Sequence, residues 1–150
     1  MRNFGLIIAY LIFISAAACF QNCSPDLSDD PIPFAAFEDI VLNLSLPENN
    51  DLNTKGYRYL GGSAGVRGII VYKKSATEYL AFERNCSYNP NSACATVDVH
   101  VSTFFMQDAC CSSTFDWDGF PTGGPAWRPL RQYVTSLNGT LLTITDDMVN

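Results

Sequence analysis

The sequence predicts an all-β domain, and three features predict it. No stretch carries the three-to-four-residue apolar spacing of a long amphipathic helix. Gly, Pro, Asn and Ser recur at short intervals, as they do in chains of short strands joined by turns. Several segments between these breaks alternate apolar and polar residues with the period of two that a half-buried strand requires.

The strands are preceded by a segment of another kind. Arg2 gives a short basic start, residues 4–15 form an apolar run, and Ala16, Ala17 and Ala18 lead to Cys19. That is the layout of a secretory signal, and the run is shorter than the roughly 20 apolar residues of a membrane span. A cysteine behind small residues resembles a bacterial lipoprotein signal, whose cysteine is lipidated and holds the chain at a membrane. Cys19 has the better preceding residues. Cys23 is the alternative: an acidic tether over residues 24–30 follows it, and choosing it leaves an even set of four cysteines behind. The expected organisation is a signal peptide over residues 1–18, a tether over 19–38 and one domain over 39–150. An exported chain also meets oxidising surroundings, where cysteines tend to pair.

In the tether, Ile32, Phe34 and Phe37 are apolar enough to dock on the domain. Residues 39–46 alternate with Ile40, Leu42, Leu44 and Leu46 on one side and read as a strand; residues 47–51 read as a loop. Residues 56–60 form a short strand that Gly61 and Gly62 break. The β-branched run 66–73 predicts a buried strand, paired as a hairpin with residues 78–83 across a Ser75-Ala76-Thr77 turn. Residues 95–101 alternate, with Val97, Val99 and Val101 facing one way and Asp98 and His100 the other, and residues 103–107 can pair with them. Residues 116–125 are turn-rich. A last hairpin spans 130–137 and 140–145 about an Asn138-Gly139 turn, with a frayed tail from Asp146.

The chain carries 15 acidic residues against nine Lys and Arg, one of which is Arg2 of the signal. So acidic a domain would repel a phosphate backbone, and nucleic acid is excluded as a partner. Ser112 and Ser113 lack a neighbouring histidine, which leaves nucleophilic catalysis without a base, and no Gly-rich phosphate loop precedes a helix. No catalytic residue is expected. Asp108, Asp116 and Asp118 read as solvated loop carboxylates.

The motifs of residues 66–145 resemble those of the Rieske [2Fe–2S] family. Arg84-Asn85-Cys86-Ser87-Tyr88 stands where that family has its Cys-x-His loop, and Asp108-Ala109-Cys110-Cys111-Ser112-Ser113-Thr114-Phe115 stands where it has Cys-x-x-His-Gly-Ser-x-Phe. Gly124-Pro125-Ala126-Trp127-Arg128-Pro129-Leu130 matches the family's proline loop. The resemblance implies a fold of small antiparallel sheets with two cluster-type loops, and it puts the four ligand positions on Cys86, Tyr88, Asp108 and Cys111. A Rieske centre needs two Cys on one iron and two His on the other. This chain has one histidine, His100, at none of those positions.

Some members of the family also carry a disulfide that clamps the two loops, and Cys94 and Cys110 are similar to that pair. The resemblance then leaves Cys86 with Cys111 for a second bridge, with Cys86–Cys110 and Cys94–Cys111 as the crossed alternative. A four-cysteine zinc or iron site has the right ligand count, but adjacent Cys110 and Cys111 tend to point apart, and no metal or other cofactor is expected. Tyr88, Phe115, Trp117, Phe120 and Trp127 are expected to pack the loops or to offer a contact patch.

The whole resembles the Rieske-like lipoproteins of Bacteroidota. It implies a cell-envelope protein on a lipid anchor, most simply at the outer membrane, with a structural or binding role and an envelope protein as possible partner. The competing expectation is an electron-transfer protein that keeps a [2Fe–2S] cluster on atypical ligands.

Overall fold

The computed structural model describes residues 30–149, so the expected signal, Cys19 and Cys23 lie outside the described residues. Ten strands follow in chain order: β1 (Ile40–Asn43), β2 (Tyr57–Leu60), β3 (Ile69–Lys73), β4 (Tyr79–Glu83), β5 (Val97–Val99), β6 (Met106–Asp108), β7 (Thr114–Phe115), β8 (Pro121–Gly123), β9 (Gln132–Asn138) and β10 (Leu141–Met148). A 3-10 turn (Pro47–Asn49) and one helical turn, α1 (Asp51–Thr54), lie between β1 and β2. No helix of the described residues is long and apolar enough to cross a membrane.

The strands form two antiparallel sheets. One has six strands in the order β1-β10-β9-β4-β3-β2, the other four in the order β5-β6-β7-β8. The smaller sheet is inserted in the chain between β4 and β9, which pair directly with each other in the larger one. The β3–β4 hairpin explains its own unbroken apolar sequence, because both of its faces are covered. Ile69, Val71, Tyr79 and Ala81 enter a core with Leu52, Tyr133, Leu142 and Ile144. Ile70, Leu80 and Phe82 point the other way, into a core shared with Val97, Met106, Phe115 and Leu130. That second core fixes the small sheet, and with it the two loops, against the large sheet.

Several elements differ from the sequence expectation, each for a local reason. The first strand ends at Asn43, and Leu46 is exposed because Pro47 starts a 3-10 turn there. The third begins only at Ile69, because the amides of Val66 and Arg67 donate to the Glu83 carboxylate (2.8 and 3.0 Å) rather than to a neighbouring strand. Val101, expected on the same face as the buried Val97, is 94% exposed. A tight turn closed by His100 N to Phe105 O and Thr103 N to His100 O lifts it into solvent. The last hairpin turns on Gly139 and Thr140, one residue later than expected, with Leu141 opposite Asn138 and Gly139 at φ +60°. Residues 146–149 are not frayed: β10 shifts register after Ile144 and continues, and Val149 N donates to Gln132 O.

The tether's end is bound down. Arg131 donates to the carbonyls of Ile32 and Pro33 (2.9 and 2.6 Å) and lies over the Phe34 ring, while Phe37 meets Tyr133 edge-on at 5.0 Å.

Candidate functional site

Two loops meet at the end of the small sheet: residues 84–96, between β4 and β5, and residues 109–113, between β6 and β7. Arg67 fixes the first loop, donating from its guanidinium to the Asn85 side chain and to the carbonyls of Ser92 (2.6 Å) and Ala93 (2.9 Å). Beneath it, the buried Glu83 carboxylate accepts from Val66 N, Arg67 N, Asn85 N and the Tyr133 hydroxyl, all within 3.0 Å. Burial first, then the Glu83 charge, raises the Tyr133 pKa above the ordinary tyrosine value.

The second loop is closed by Ser112 N to Asp108 O (2.8 Å) and Asp108 N to Ser113 O (2.9 Å). The proline-loop segment packs on it so tightly that a Cβ on Gly124 would lie 2.5 Å from Ser113 Cα, and Gly124 sits at φ +79°. Glycine is required there twice over, for the backbone conformation and for the approach. A disulfide joins Cys94 to Cys110 and ties the loops covalently, with Cα atoms 5.6 Å apart.

Inside this frame the fold brings three donor side chains together. The ligand atoms of Cys86, Asp108 and Cys111 all lie within 4.8 Å of one another. The Cys86–Cys111 bridge that the resemblance implied is not formed: the two sulfurs are 3.8 Å apart as thiols, and Cys111 Sγ lies 3.3 Å from Asp108 Oδ2 and 3.0 Å from Ser113 Oγ. Asp108 Oδ1 is taken by the Cys110 amide at 2.7 Å, which turns Oδ2 toward the sulfurs. Cys86 and Asp108 are fully buried. Burial first, then the Asp108 carboxylate, pushes the Cys86 thiol well above the usual thiol range, while the Tyr88 amide works against both. A cleft of about 320 Å³ opens beside the group, with Tyr88, Ser92, Asp108, Cys110, Cys111 and Pro125 in its wall.

No protein-family model matches the chain, and no curated protein matches it in sequence. Its structure is similar to that of the cyanobacterial plasma membrane Rieske protein PetC3 from Synechocystis PCC 6803, with a TM-score of 0.50 and 21% sequence identity over 63% of this chain and 91% of that one. The fold is Rieske-like. In this Rieske-like domain all four ligand positions carried over from the motif meet at one place, since Tyr88 lines the cleft above Cys86, Asp108 and Cys111. The donors themselves do not suit a mixed two-Cys, two-His centre. They offer a phenol, a carboxylate and two sulfurs, and Cys110 is spent in the disulfide. His100 cannot complete the set. It follows Val99 at the far end of the strand whose other end, Val97, faces Asp108, which puts it on the order of 10 Å up the sheet. Its ring stacks on Phe105 at 4.3 Å and bonds Ser102.

Asp108 is the main departure from the sequence expectation. It is buried at the end of β6, where the expected role was a solvated loop acid. Asp116 caps its own turn through the amides of Asp118 and Phe120, and Asp118 pairs with Lys74. The aromatic residues also separate. Phe115 is core, Trp117 stacks on Tyr72 at 4.3 Å, Phe120 and Trp127 are exposed, and of the five only Tyr88 borders the cleft. Glu83 and Arg67 are not singled out by the sequence, and Ser113 enters it only as a rejected nucleophile and a motif residue. The signal that could have marked its supporting role is its match to the serine of the second motif.

Proposed function

We propose that this chain is an exported lipoprotein of the bacterial cell envelope, anchored through Cys19, whose Rieske-like domain has given up the two-iron cluster and acts as a structural or binding module. One observation carries the reading. The sole imidazole is engaged with Phe105 and Ser102 outside the cleft, while the positions that would hold the cluster are Cys86, Tyr88, Asp108 and Cys111. Electron transfer through a Rieske centre has no ligand set to run on.

The tether supports the anchoring half of the proposal. Arg128 donates to the Asp30 carbonyl (3.0 Å) and to the Ser87 carbonyl (2.8 Å), so the tether reaches the domain beside the first loop. Asp30 lies eleven residues after Cys19, about 40 Å of extended chain at most. A lipid at Cys19 would therefore keep the cleft close to the membrane surface, where an envelope partner could reach it.

Two measurements test this on the full-length protein in its native host. Labelled palmitate should enter the wild type and not Cys19→Ser; label retained in that variant and lost in Cys23→Ser would move the anchor. Protein extracted in detergent should be colourless and free of inorganic sulfide. Stoichiometric iron and sulfide with visible absorption would overturn the proposal.

A further inference from the structure

We propose that Cys86, Asp108 and Cys111 form a site for a single thiophilic divalent cation, zinc by its chemistry, with the cleft open to a fourth ligand. The inference rests on the cluster-free reading above and goes beyond it by assigning the binding role to named atoms.

The spacing carries it. Zinc bonds thiolate sulfur at about 2.3 Å and carboxylate oxygen at about 2.0 Å, so a tetrahedral ion sets its two sulfurs about 3.8 Å apart and each sulfur about 3.5 Å from the oxygen. The sulfurs here are 3.8 Å apart and Cys111 Sγ is 3.3 Å from Asp108 Oδ2. A disulfide between the same cysteines would need the sulfurs at about 2.05 Å. It would also remove the thiol proton that Cys111 offers to Oδ2, leaving a buried carboxylate oxygen without its donor, which is costly.

A supporting shell is already built. The Cys110 amide holds the other carboxylate oxygen at 2.7 Å. Ser113 Oγ accepts from Ala126 N at 3.0 Å and lies 3.0 Å from Cys111 Sγ, so its hydroxyl can donate to that sulfur once the thiol proton has left. Such outer partners orient metal ligands and raise affinity. Three protein ligands and one open position is the layout of zinc sites that bind a further molecule. Loading exchanges two thiol protons, released to solvent, for one doubly charged ion, so the buried charge is unchanged and no electron moves.

The test uses the full-length protein, extracted in detergent without reductant or chelator. Elemental analysis should find about one zinc per chain. After zinc is removed, Co2+ should bind at one equivalent with thiolate-to-cobalt charge-transfer absorption and tetrahedral d–d bands, and added zinc should abolish both. Cys86→Ser and Cys111→Ser should each weaken Co2+ binding by more than about 100-fold, beyond the loss expected for an outer partner alone. Asp108→Asn, nearly isosteric and so the variant least prone to misfold, should weaken binding while keeping the charge-transfer band. His100→Ala should change nothing. Metal-free protein with a mapped Cys86–Cys111 bond, or Co2+ binding unaffected by Asp108→Asn, would overturn the zinc site and leave the cluster-free reading standing. Iron with inorganic sulfide would overturn both.

Discussion

Replacing Cys94 and Cys110 together by serine removes the bond that ties the two loops, and the chain separation it spans sets the expected loss. The bridge joins residues 16 apart. Loop-closure entropy for a ring of that size is on the order of 10 cal/mol/K, or about 3 kcal/mol at 25 °C. The native state should contribute little further loss, because Arg67, Glu83 and the Gly124 contact still hold the loops. The double variant avoids a stray thiol next to Cys86 and Cys111. Urea unfolding followed by far-ultraviolet circular dichroism reads the result. With a slope of about 1–3 kcal/mol/M, the midpoint should fall by about 1–3 M. The slope itself should rise slightly, since the unbridged denatured chain exposes more surface, so the comparison belongs to extrapolated free energies. A loss below about 1 kcal/mol would refute the reasoning and show that the loops are held without the bond.

Three further outcomes are expected. Glu83→Gln turns an acceptor of four hydrogen bonds into a group that must present N–H to some of the same donors; it should cost about 3 kcal/mol or more, read by the same unfolding assay. Gly124→Ala drives a Cβ into the Ser113 backbone at a left-handed φ, so it should destabilise by more than the roughly 1 kcal/mol typical of a point change and raise amide hydrogen exchange in residues 109–113. Tyr133 gives a pH dependence of definite sign. Its folded-state pKa lies above the unfolded value of about 10, so its contribution to stability is complete below that value and is lost as pH rises beyond it. Alkaline unfolding should set in above about pH 10 and be shallower in Tyr133→Phe, and equal pH slopes in the two proteins would contradict the assignment.

Much of the fold was legible because strand and turn signals are local. The alternation in 95–99, the apolar run behind β3 and the two apolar stretches about Gly139 each put their strand in the right part of the chain. The errors fell at ends, where a distant group competes with local preference. Glu83 captures the amides of Val66 and Arg67 and delays β3, and the hairpin after Val99 turns Val101 outward. The resemblance to the Rieske motifs also implied the Cys94–Cys110 bridge, which the structure contains, and a Cys86–Cys111 bridge, which it does not.

The sequence by itself determined the ligand count for a mixed two-Cys, two-His centre. A count of imidazoles needs no coordinates, and one histidine cannot supply two. Only the tertiary structure decided what the altered positions make together. Asp108 and Cys111 are near neighbours in sequence, but Cys86 comes from another loop 22 residues before Asp108, and the burial that turns a surface-type acid into a donor facing two sulfurs comes from β6 lying under the packed loops. Burial and mutual aim are properties of many contacts at once, and no local pattern of residues encodes them.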